Sequence, residues 1–255
     1  RGLMNVQFAV QGGRIYVLEV NPRASRTIPF VSKAIGVPLA KIAAKVMAGQ
    51  SLAQAIGPLK PAERLPYYAV KESVFPFAKF PGADVLLGPE MKSTGEVMGI
   101  GATFGEAFAK AQLAAGNGIP LAGLALLSVN DLDKGPVLPA ARQLVEAGFS
   151  LVATEGTSRY LKQEGIDCEV VNKVAQGSPH VVDLLESGRV QLVINTPAGP
   201  HSARDSYSIR RTALANGIPY FTTVAAALAA AEAVMSIRQH PVTVCALQDY
   251  YRKRS

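Results

Sequence analysis

The feature that most constrains the fold is a regular alternation of short apolar runs and amphipathic segments from residue 124 onward. Short apolar or β-branched runs predict strands at 124–129, 150–154, 169–171, 190–195 and 220–222. The intervening segments predict helices at 137–147, 158–164, 180–186, 206–216 and 224–238. The first four helices are each closely followed by a glycine, which commonly ends a helix. This pattern predicts a doubly wound α/β domain built on a five-stranded parallel sheet.

Polar side chains stand at the ends of three of these predicted strands. Thr154 ends the second strand and Thr157 follows it, Lys173 follows the third, and Asn195 ends the fourth and is followed by Thr196. Ligands of doubly wound sheets bind beyond the carboxyl ends of the strands, where helix N-termini and hydroxyl groups can hold phosphate. We therefore expect a phosphate pocket at this edge of the sheet. Each residue taken singly is explained as well by a helix cap or a turn.

The first 120 residues follow a different pattern. Apolar runs at 3–10 and 15–20 around a Gly-Gly pair predict a β-hairpin, and helices are predicted at 27–35 and 38–48. A connector at 51–66, a strand at 67–75, a turn-rich stretch at 80–88 and a helix at 104–115 are expected next. The glycine-rich segment 116–123 is the predicted boundary between domains 1–120 and 121–255. Because a hairpin is not stable alone and Arg1 precedes it directly, we expect the chain to begin inside a domain.

The predicted hairpin carries a group of polar side chains. Gln7 lies on its first strand, and Glu19 and Asn21 lie two residues apart near the end of the second, so they face the same side. Such an oxygen-only set suits Mg²⁺ or Mn²⁺. Arg23 and Arg26 follow closely, and guanidinium groups beside a divalent ion can stabilise a transferring phosphoryl group. A polar strand end with two solvated arginines explains the spacing equally well.

Charge and composition exclude several classes of protein. The net charge is +7, and residues 1–120 hold 13 basic and 7 acidic side chains. No tryptophan is present, and Phe and Tyr are scattered, so small anions explain the excess charge better than a nucleic acid does. No apolar run approaches the roughly 20 residues that cross a membrane. The two distant cysteines fit a reducing compartment, and we expect a cytoplasmic protein.

The hairpin region carries a resemblance to a known family. The runs MNVQFAV at 4–10 and YVLEVNPRASRT at 16–27 resemble the last segment of an ATP-grasp active site. More narrowly, they resemble the large subunit of carbamoyl phosphate synthetase. Similar stretches of that subunit are VPLA at 37–40, VMAG at 46–49, FPG at 80–82 and LGPEMKSTGEVMG at 87–99. The resemblance continues through the C-terminal α/β region and covers essentially the whole chain.

The resemblance implies a role for the N-terminal region. Residues 1–120 correspond to the end of the ATP-grasp half that phosphorylates carbamate, an ATP-dependent, glutamine-hydrolysing ligase activity that serves arginine and pyrimidine biosynthesis. Gln7, Glu19 and Asn21 would hold the two Mg²⁺ or Mn²⁺ ions that bridge the ATP phosphates, and K⁺ is a further candidate ion. Arg23 and Arg26 would neutralise the phosphoryl oxygens and the carbamate.

We expect this segment alone not to catalyse ATP-dependent phosphorylation of carbamate. According to the resemblance, the groups that grip adenine and most phosphate contacts would precede Arg1. Turnover can be measured as ADP release in the presence of carbamate. Isolated-segment turnover comparable to that of an intact enzyme would contradict the expectation.

From about residue 121 the chain resembles the methylglyoxal-synthase-like regulatory domain of the same subunit, where allosteric effectors bind. The positions that match its phosphate-binding pattern are Lys134, Thr154, Thr157, Lys173, Asn195 and Thr196. Lys134 is selected by the resemblance alone, since a solvated charge in a polar loop explains it equally well. For activation by ornithine, the resemblance implies Glu72 and Thr222, although Glu72 could also be a surface partner of Lys71.

The sequence also departs from the enterobacterial pattern. Where that pattern has a second Thr and then a pair of Arg, this chain has Pro197 and then Pro200-His201. A hydroxyl and two cations are lost, so we expect inhibition by UMP or activation by IMP to be weak or altered. Methylglyoxal synthase itself is less favoured, because its acidic catalytic positions have no clear match.

The resemblance implies several partners: the remainder of the large subunit, a glutaminase small subunit, and nucleotide or ornithine effectors. It also implies an oligomeric whole enzyme and involves neither a nucleic acid nor a membrane. Two alternatives stay open. The chain could be a stand-alone regulatory module that docks on a separate catalytic chain, or it could belong to a different ATP-grasp ligase.

Overall fold

A computed structural model describes residues 1–57, 64–80, 85–87, 90–197 and 206–252. The strands are β1 (Asn5–Gln11), β2 (Arg14–Asn21), β3 (Tyr68–Val74), β4 (Gly95–Gly101), β5 (Gly123–Val129), β6 (Phe149–Thr154), β7 (Glu169–Val171), β8 (Val190–Thr196) and β9 (Tyr220–Phe221). The helices are α1 (Thr27–Ile35), α2 (Leu39–Met47), α3 (Leu52–Ile56), α4 (Phe104–Ala114), α5 (Lys134–Glu146), α6 (Glu155–Gln163), α7 (Val181–Glu186), α8 (Tyr207–Ala215), α9 (Val224–Gln239) and α10 (Leu247–Arg252).

These elements form two compact units, Arg1–Pro66 with Thr243–Ser255, and Tyr67–Val242. The division reflects packing, and the functional boundary expected near residue 120 stays a prediction. In the described ranges no single helix is long and apolar enough to cross a membrane. The bent pair α1 and α2 meets the length and composition criteria only when the two helices are taken together.

The first unit contains the predicted hairpin. Strands β1 and β2 pair antiparallel, and Gly12 and Gly13 between them both have positive φ, as a tight two-residue turn requires. Helices α1 and α2 follow as predicted. Helix α3 forms inside the expected connector because Ser51 and Gln54 build a capping box at its start. Helix α10 docks on α1, where the Tyr251 hydroxyl donates to the Lys33 carbonyl at 2.7 Å.

The second unit is built on the predicted parallel sheet. Its five strands are all parallel, in the order β7-β6-β5-β8-β9. Alternate residues of β5 enter opposite cores. Leu127 packs with α5 and α9 residues on one face, whereas Leu126 packs with α7 and α8 residues on the other. The doubly wound fold class is therefore confirmed.

The strand order places the reversal of the sheet between β5 and β8. The chain runs outward from β5 through β6 to β7, and then returns to β8 on the other side of β5. The carboxyl ends of β5 and β8 lie side by side, since Ser128 pairs with Asn195 and Val129 with Thr196. Ligands of doubly wound sheets bind at this position.

The second unit also includes an antiparallel pair, β3 and β4, and helix α4. The sequence predicted β3 but not β4, because the glycines of GEVMGIG give a weak strand pattern. Those glycines allow close packing: a Cβ added at Gly99 would collide with the Ala107 carbonyl oxygen of α4. Gly105 lets α4 approach α9 in the same way, since its Cβ would lie 2.6 Å from the Glu232 carbonyl oxygen.

Candidate functional site

A cavity of about 370 Å³ opens at the carboxyl end of the parallel sheet, where the strand order reverses. Of the predicted phosphate-binding residues, Thr154, Lys173 and Thr196 line it. The polar lining that the sequence analysis did not select comprises Ser128, Asn130, Asp131 and Ser206. The structure thus brings together the ends of β6 and β8 and the segment after β7, as the pattern of strand ends predicted, and adds the end of β5, which was not predicted.

Thr154 at the end of β6 and Thr157 in α6 lie against the end of β5. Thr157 Oγ1 accepts a hydrogen bond from the Val129 amide at 3.2 Å and lies 3.5 Å from Thr154 Oγ1. Both side chains are almost completely buried. Thr154 is also the N-cap residue of α6, so the first turn of that helix begins beside the cavity. Backbone amides at such a turn favour negative charge.

Asn195 is held by both ends of its amide group. Nδ2 donates to the Ser128 carbonyl at 2.9 Å, and Oδ1 accepts from Arg210 Nη1 at 3.3 Å. Asn195 and Arg210 are both fully buried. Asn195 therefore contacts the lining through Ser128, and Arg210 fixes the orientation of its amide. The sequence analysis missed Arg210, because an arginine inside a helical pattern normally lies on the surface.

The solvated-charge interpretation placed Lys134 in a polar loop, but the structure places it in a helix. It is the first residue of α5, its side chain is 17% exposed, and its Nζ lies 2.6 Å from Asp131 Oδ1. The hydrogen bond and charge of Lys134, with a smaller contribution from Lys173, hold the pKa of Asp131 below its usual range. Asp131 lines the cavity, so this ion pair lies at the edge of the candidate site.

Asn130 joins the ends of the two central strands. Its Oδ1 accepts from the amides of Leu132 at 2.9 Å and Asp133 at 3.2 Å, which caps the 3₁₀ turn Asp131–Asp133. Its Nδ2 donates to the Thr196 carbonyl at 3.1 Å. An Asn placed directly after a buried strand and before a helix is a capping signal. That signal could have located Asn130 from the sequence.

A second cavity of about 370 Å³ lies beside the edge strand β7 and helix α7. His180 and Asp183 of its lining form the capping box of α7. The hydrogen bonds of Asp183 with the His180 amide and the Ser178 hydroxyl lower the pKa of its carboxyl group. These polar groups therefore cap the N-terminus of α7.

The hairpin brings Gln7, Glu19 and Asn21 together as predicted. Gln7 pairs with Glu19 across the strands, next to a bulge between Gln7 and Phe8. Gln7 Nε2 and Asn21 Nδ2 both donate to Glu19 Oε1, at 2.6 Å and 2.7 Å. The set contains one carboxylate and two amides. Accordingly, no cluster of three or more His, Cys, Asp or Glu side chains occurs within the described ranges.

This donor set fits a hard divalent cation. Glu19 offers a carboxylate at an exposed strand end. Gln7 and Asn21 turn their amide nitrogens toward it here, and a half-turn of each amide group would present its oxygen to Mg²⁺ or Mn²⁺, which prefer oxygen ligands. Arg23 follows the strand and donates to the Ala24 carbonyl at 3.4 Å, and Arg26 is the N-cap residue of α1. The structure thus joins the three oxygen-bearing side chains and leaves the roles of the two arginines as predictions.

The two residues assigned to ornithine lie in the second unit. Glu72 on β3 is half-buried and shares a hydrogen bond with Gln112 of α4, and burial raises the pKa of its carboxyl group. Its neighbour Lys71 forms an ion pair with Glu96 at 3.3 Å. Thr222 directly follows β9 and precedes Thr223, the N-cap residue of α9. The ornithine assignment stays a prediction.

Glu72→Gln is expected to raise the melting temperature at pH 7 by about 1–2 °C, a small effect because solvent screens a half-buried group. The folded state raises the pKa of this carboxyl above its ordinary value of 4.5. The wild type therefore loses stability as the pH rises from 4.5 through the folded-state pKa. Thermal unfolding of both proteins between pH 4 and pH 8 measures the difference. A difference in melting temperature that grows at acidic pH would contradict a raised pKa for Glu72.

Comparison with known proteins shows which domains this chain is similar to. Residues 136–222 match the family model of the MGS-like domain, and residues 1–55 match that of the ATP binding domain of the carbamoyl-phosphate synthase L chain. The chain thus combines the end of an ATP-binding domain with an MGS-like domain.

The relatives name the family more closely. The carbamoyl phosphate synthase large chain of Pasteurella multocida is 55% identical over 256 residues, which cover 99% of this chain and 23% of the relative. The large chain of Xanthomonas axonopodis pv. citri is 58% identical over 234 residues, which cover 89% of this chain and 21% of the relative. The "large chain, C-terminal section" of Methanopyrus kandleri is 51% identical over 257 residues, which cover 98% of this chain and 47% of the relative.

Over nearly its whole length the chain is similar to the C-terminal part of carbamoyl phosphate synthase large chains. It spans between about a fifth and about a half of the length of the relatives compared.

Proposed function

We propose that this chain supplies two parts of an ATP-dependent carbamoyl phosphate synthase. The hairpin provides the final ligands of the site that phosphorylates carbamate, and the parallel-sheet domain binds the allosteric effector. The cavity at the reversal of the sheet carries the second assignment. It holds Thr154, Lys173 and Thr196 on its wall and lies largely in the segment that matches the MGS-like model.

The chemistry of this cavity suits a phosphorylated effector. A lysine, several hydroxyl groups and the first turn of α6 surround it, and each favours a phosphate oxygen. Pro197 has neither a hydroxyl nor an amide hydrogen to offer beside Thr196. The other departure from the enterobacterial pattern, Pro200-His201, lies outside the described residues. We therefore propose a nucleoside monophosphate effector whose phosphate is bound more weakly than in the enterobacterial pattern.

The hairpin would hold the divalent ions of the ATP site. Gln7, Glu19 and Asn21 are its candidate ligands, for Mg²⁺ or Mn²⁺, and K⁺ remains a further candidate ion. When bound, such ions neutralise charge on the ATP phosphates. Arg23 and Arg26 would place their guanidinium groups against the oxygens of the phosphoryl group and carbamate, where planar paired donors match a charged acceptor.

The same hairpin presents an apolar surface that fits the rest of a large chain. Phe8 and Val10 on β1 pair with Val17 and Ile15 on β2, so these four side chains share one face of the hairpin, and all are more than half exposed. Contiguous exposed apolar side chains mark an interaction surface, and a two-stranded hairpin is marginal without one. We propose that the remainder of the ATP-grasp domain packs here. We also propose a glutaminase small subunit as a partner and an oligomeric whole enzyme. The proposed location is the cytoplasm, and the proposed role is in arginine and pyrimidine biosynthesis.

Calorimetric titration with IMP, UMP and ornithine, and with inosine and uridine as controls, tests the effector assignment. Saturable binding of a monophosphate, without binding of its nucleoside, is expected because the cavity supplies phosphate-binding groups. If neither IMP nor UMP gives heat of binding, the result would contradict a phosphate site in this cavity. Effector binding by a chain that docks on a separate catalytic chain without adding a ligand to its ATP site would favour the stand-alone regulatory module instead. The relatives compared are carbamoyl phosphate synthase large chains, which disfavours a different ATP-grasp ligase.

A further inference from the structure

We propose that Asp131 competes with the effector phosphate for the Lys134 ammonium, and that this competition lowers the affinity of the cavity and favours doubly charged anions. The inference rests on the proposed effector function of the cavity. It assigns a specificity-determining role to a carboxylate that stands where phosphate is expected to bind.

The position of Lys134 gives the first part of the argument. Lys134 begins α5, a helix of 13 residues, and a positive side chain at a helix N-terminus is unfavourable. A Cβ added at Gly156, in the first turn of α6, would lie 3.3 Å from Lys134 Nζ. The ammonium group is therefore close to the first turns of two helices, both of which favour negative charge. A cation in this place needs an anionic neighbour.

Asp131 provides that neighbour. Its Oδ1 lies 2.6 Å from Lys134 Nζ, and its side chain is 92% exposed. Asp131 also lines the cavity, together with Lys173, and the charge of Lys173 acts on its carboxyl group. One carboxylate is thus paired with one of the lysines that the proposed function assigns to phosphate and shares the cavity lining with the other.

The structure also distinguishes Asp131 from the neighbouring acid on the same turn. Asp133 receives a hydrogen bond from Asn130 Nδ2 and so belongs to the cap that joins β5 to β8. Asp131 is bound through an ion pair in which its own carboxylate is almost fully exposed, so solvent can replace this contact easily. A phosphate dianion can replace it and gain more from the two lysines than a monoanion can. Asp131 would therefore weaken binding without preventing it.

The test is a calorimetric titration of the whole chain with inorganic phosphate and with chloride-matched sulfate and acetate. Asp131→Asn is expected to bind phosphate about threefold more tightly, the size of effect typical of an exposed ion pair. Asp131→Glu keeps the carboxylate and is expected to stay close to the wild type. Acetate, a monoanion, should gain relatively more than phosphate from Asp131→Asn, because the substitution removes the discrimination.

Glu169→Gln is the matched control. It makes the same change in net charge, and Glu169 pairs with Arg189 at 3.6 Å and lines the cavity beside β7 instead. Tighter phosphate binding in Asp131→Asn but not in Glu169→Gln supports the inference. Equal affinity in the wild type and Asp131→Asn, or an equal gain in Glu169→Gln, overturns the inference alone. Phosphate binding by none of the proteins overturns the effector site and the inference with it.

Discussion

Lys134→Gln is expected to weaken the binding of IMP and of inorganic phosphate by about 10- to 100-fold, the range for a lost hydrogen bond to a charged group. Lys134 is mostly buried at the first turn of α5, and its ammonium group lies at the edge of the cavity beside Asp131. A neutral amide cannot supply the same charge there. Calorimetric dissociation constants of the wild type and the variant measure the effect.

Lys162→Gln is the control for that substitution. It removes the same charge from an exposed position near the end of α6, the helix whose first turn begins beside the cavity. We expect its phosphate affinity to remain within about twofold of the wild type, since exposed charges at a distance are screened. Equal losses in the two variants would show that binding depends on net charge rather than on a site at α5.

Gly99→Ala is expected to destabilise the second unit by about 3 kcal/mol, which corresponds to a fall of roughly 10 °C in melting temperature. The added Cβ would collide with the Ala107 carbonyl oxygen and lie 2.5 Å from the Ala111 amide nitrogen. Both neighbours are backbone atoms of α4, so neither can move aside without shifting the helix. Thermal unfolding followed by circular dichroism measures the loss.

Gly95→Ala on the same strand provides the matched comparison. A Cβ added at Gly95 meets no atom within 4 Å. Its melting temperature should therefore stay within about 2 °C of the wild type, as expected for a surface substitution. Similar losses in both variants would mean that glycine matters to β4 for a reason other than the close approach of α4.

The contrast between β4 and the parallel strands shows what the sequence could predict of the fold. Strands buried between two helix layers are apolar along their length, so the runs around Leu126 and Val193 stand out. Strand β4 was missed because its glycines are selected for contact with α4, a tertiary requirement that leaves no local strand signal. Helix α3 was missed because its capping box lies among prolines and glycines that predict a connector.

The residues of the candidate sites also differ in whether local strand geometry or tertiary packing places them. Thr154, Lys173 and Thr196 could be selected from the sequence because parallel strands place their carboxyl ends at one edge. Gln7, Glu19 and Asn21 could be grouped because a tight hairpin fixes their register. Arg210 could not, since its contact with Asn195 depends on the packing of α8 against β8. The position of Lys134 could be predicted only from the residue at which α5 begins, and helix ends are the least certain part of a sequence-based prediction.

Backbone amide NMR of the whole chain, titrated with inorganic phosphate, tests most directly whether the reversal of the parallel sheet is an effector site. Saturable shifts are expected at the ends of β5 and β8 and in the first turn of α6, with Val129, Thr157 and Thr196 among the residues affected. The same titration of Lys134→Gln should show these shifts only at higher phosphate concentration. Saturable shifts confined to the cavity beside β7, or none at the reversal of the sheet, would contradict an effector site there.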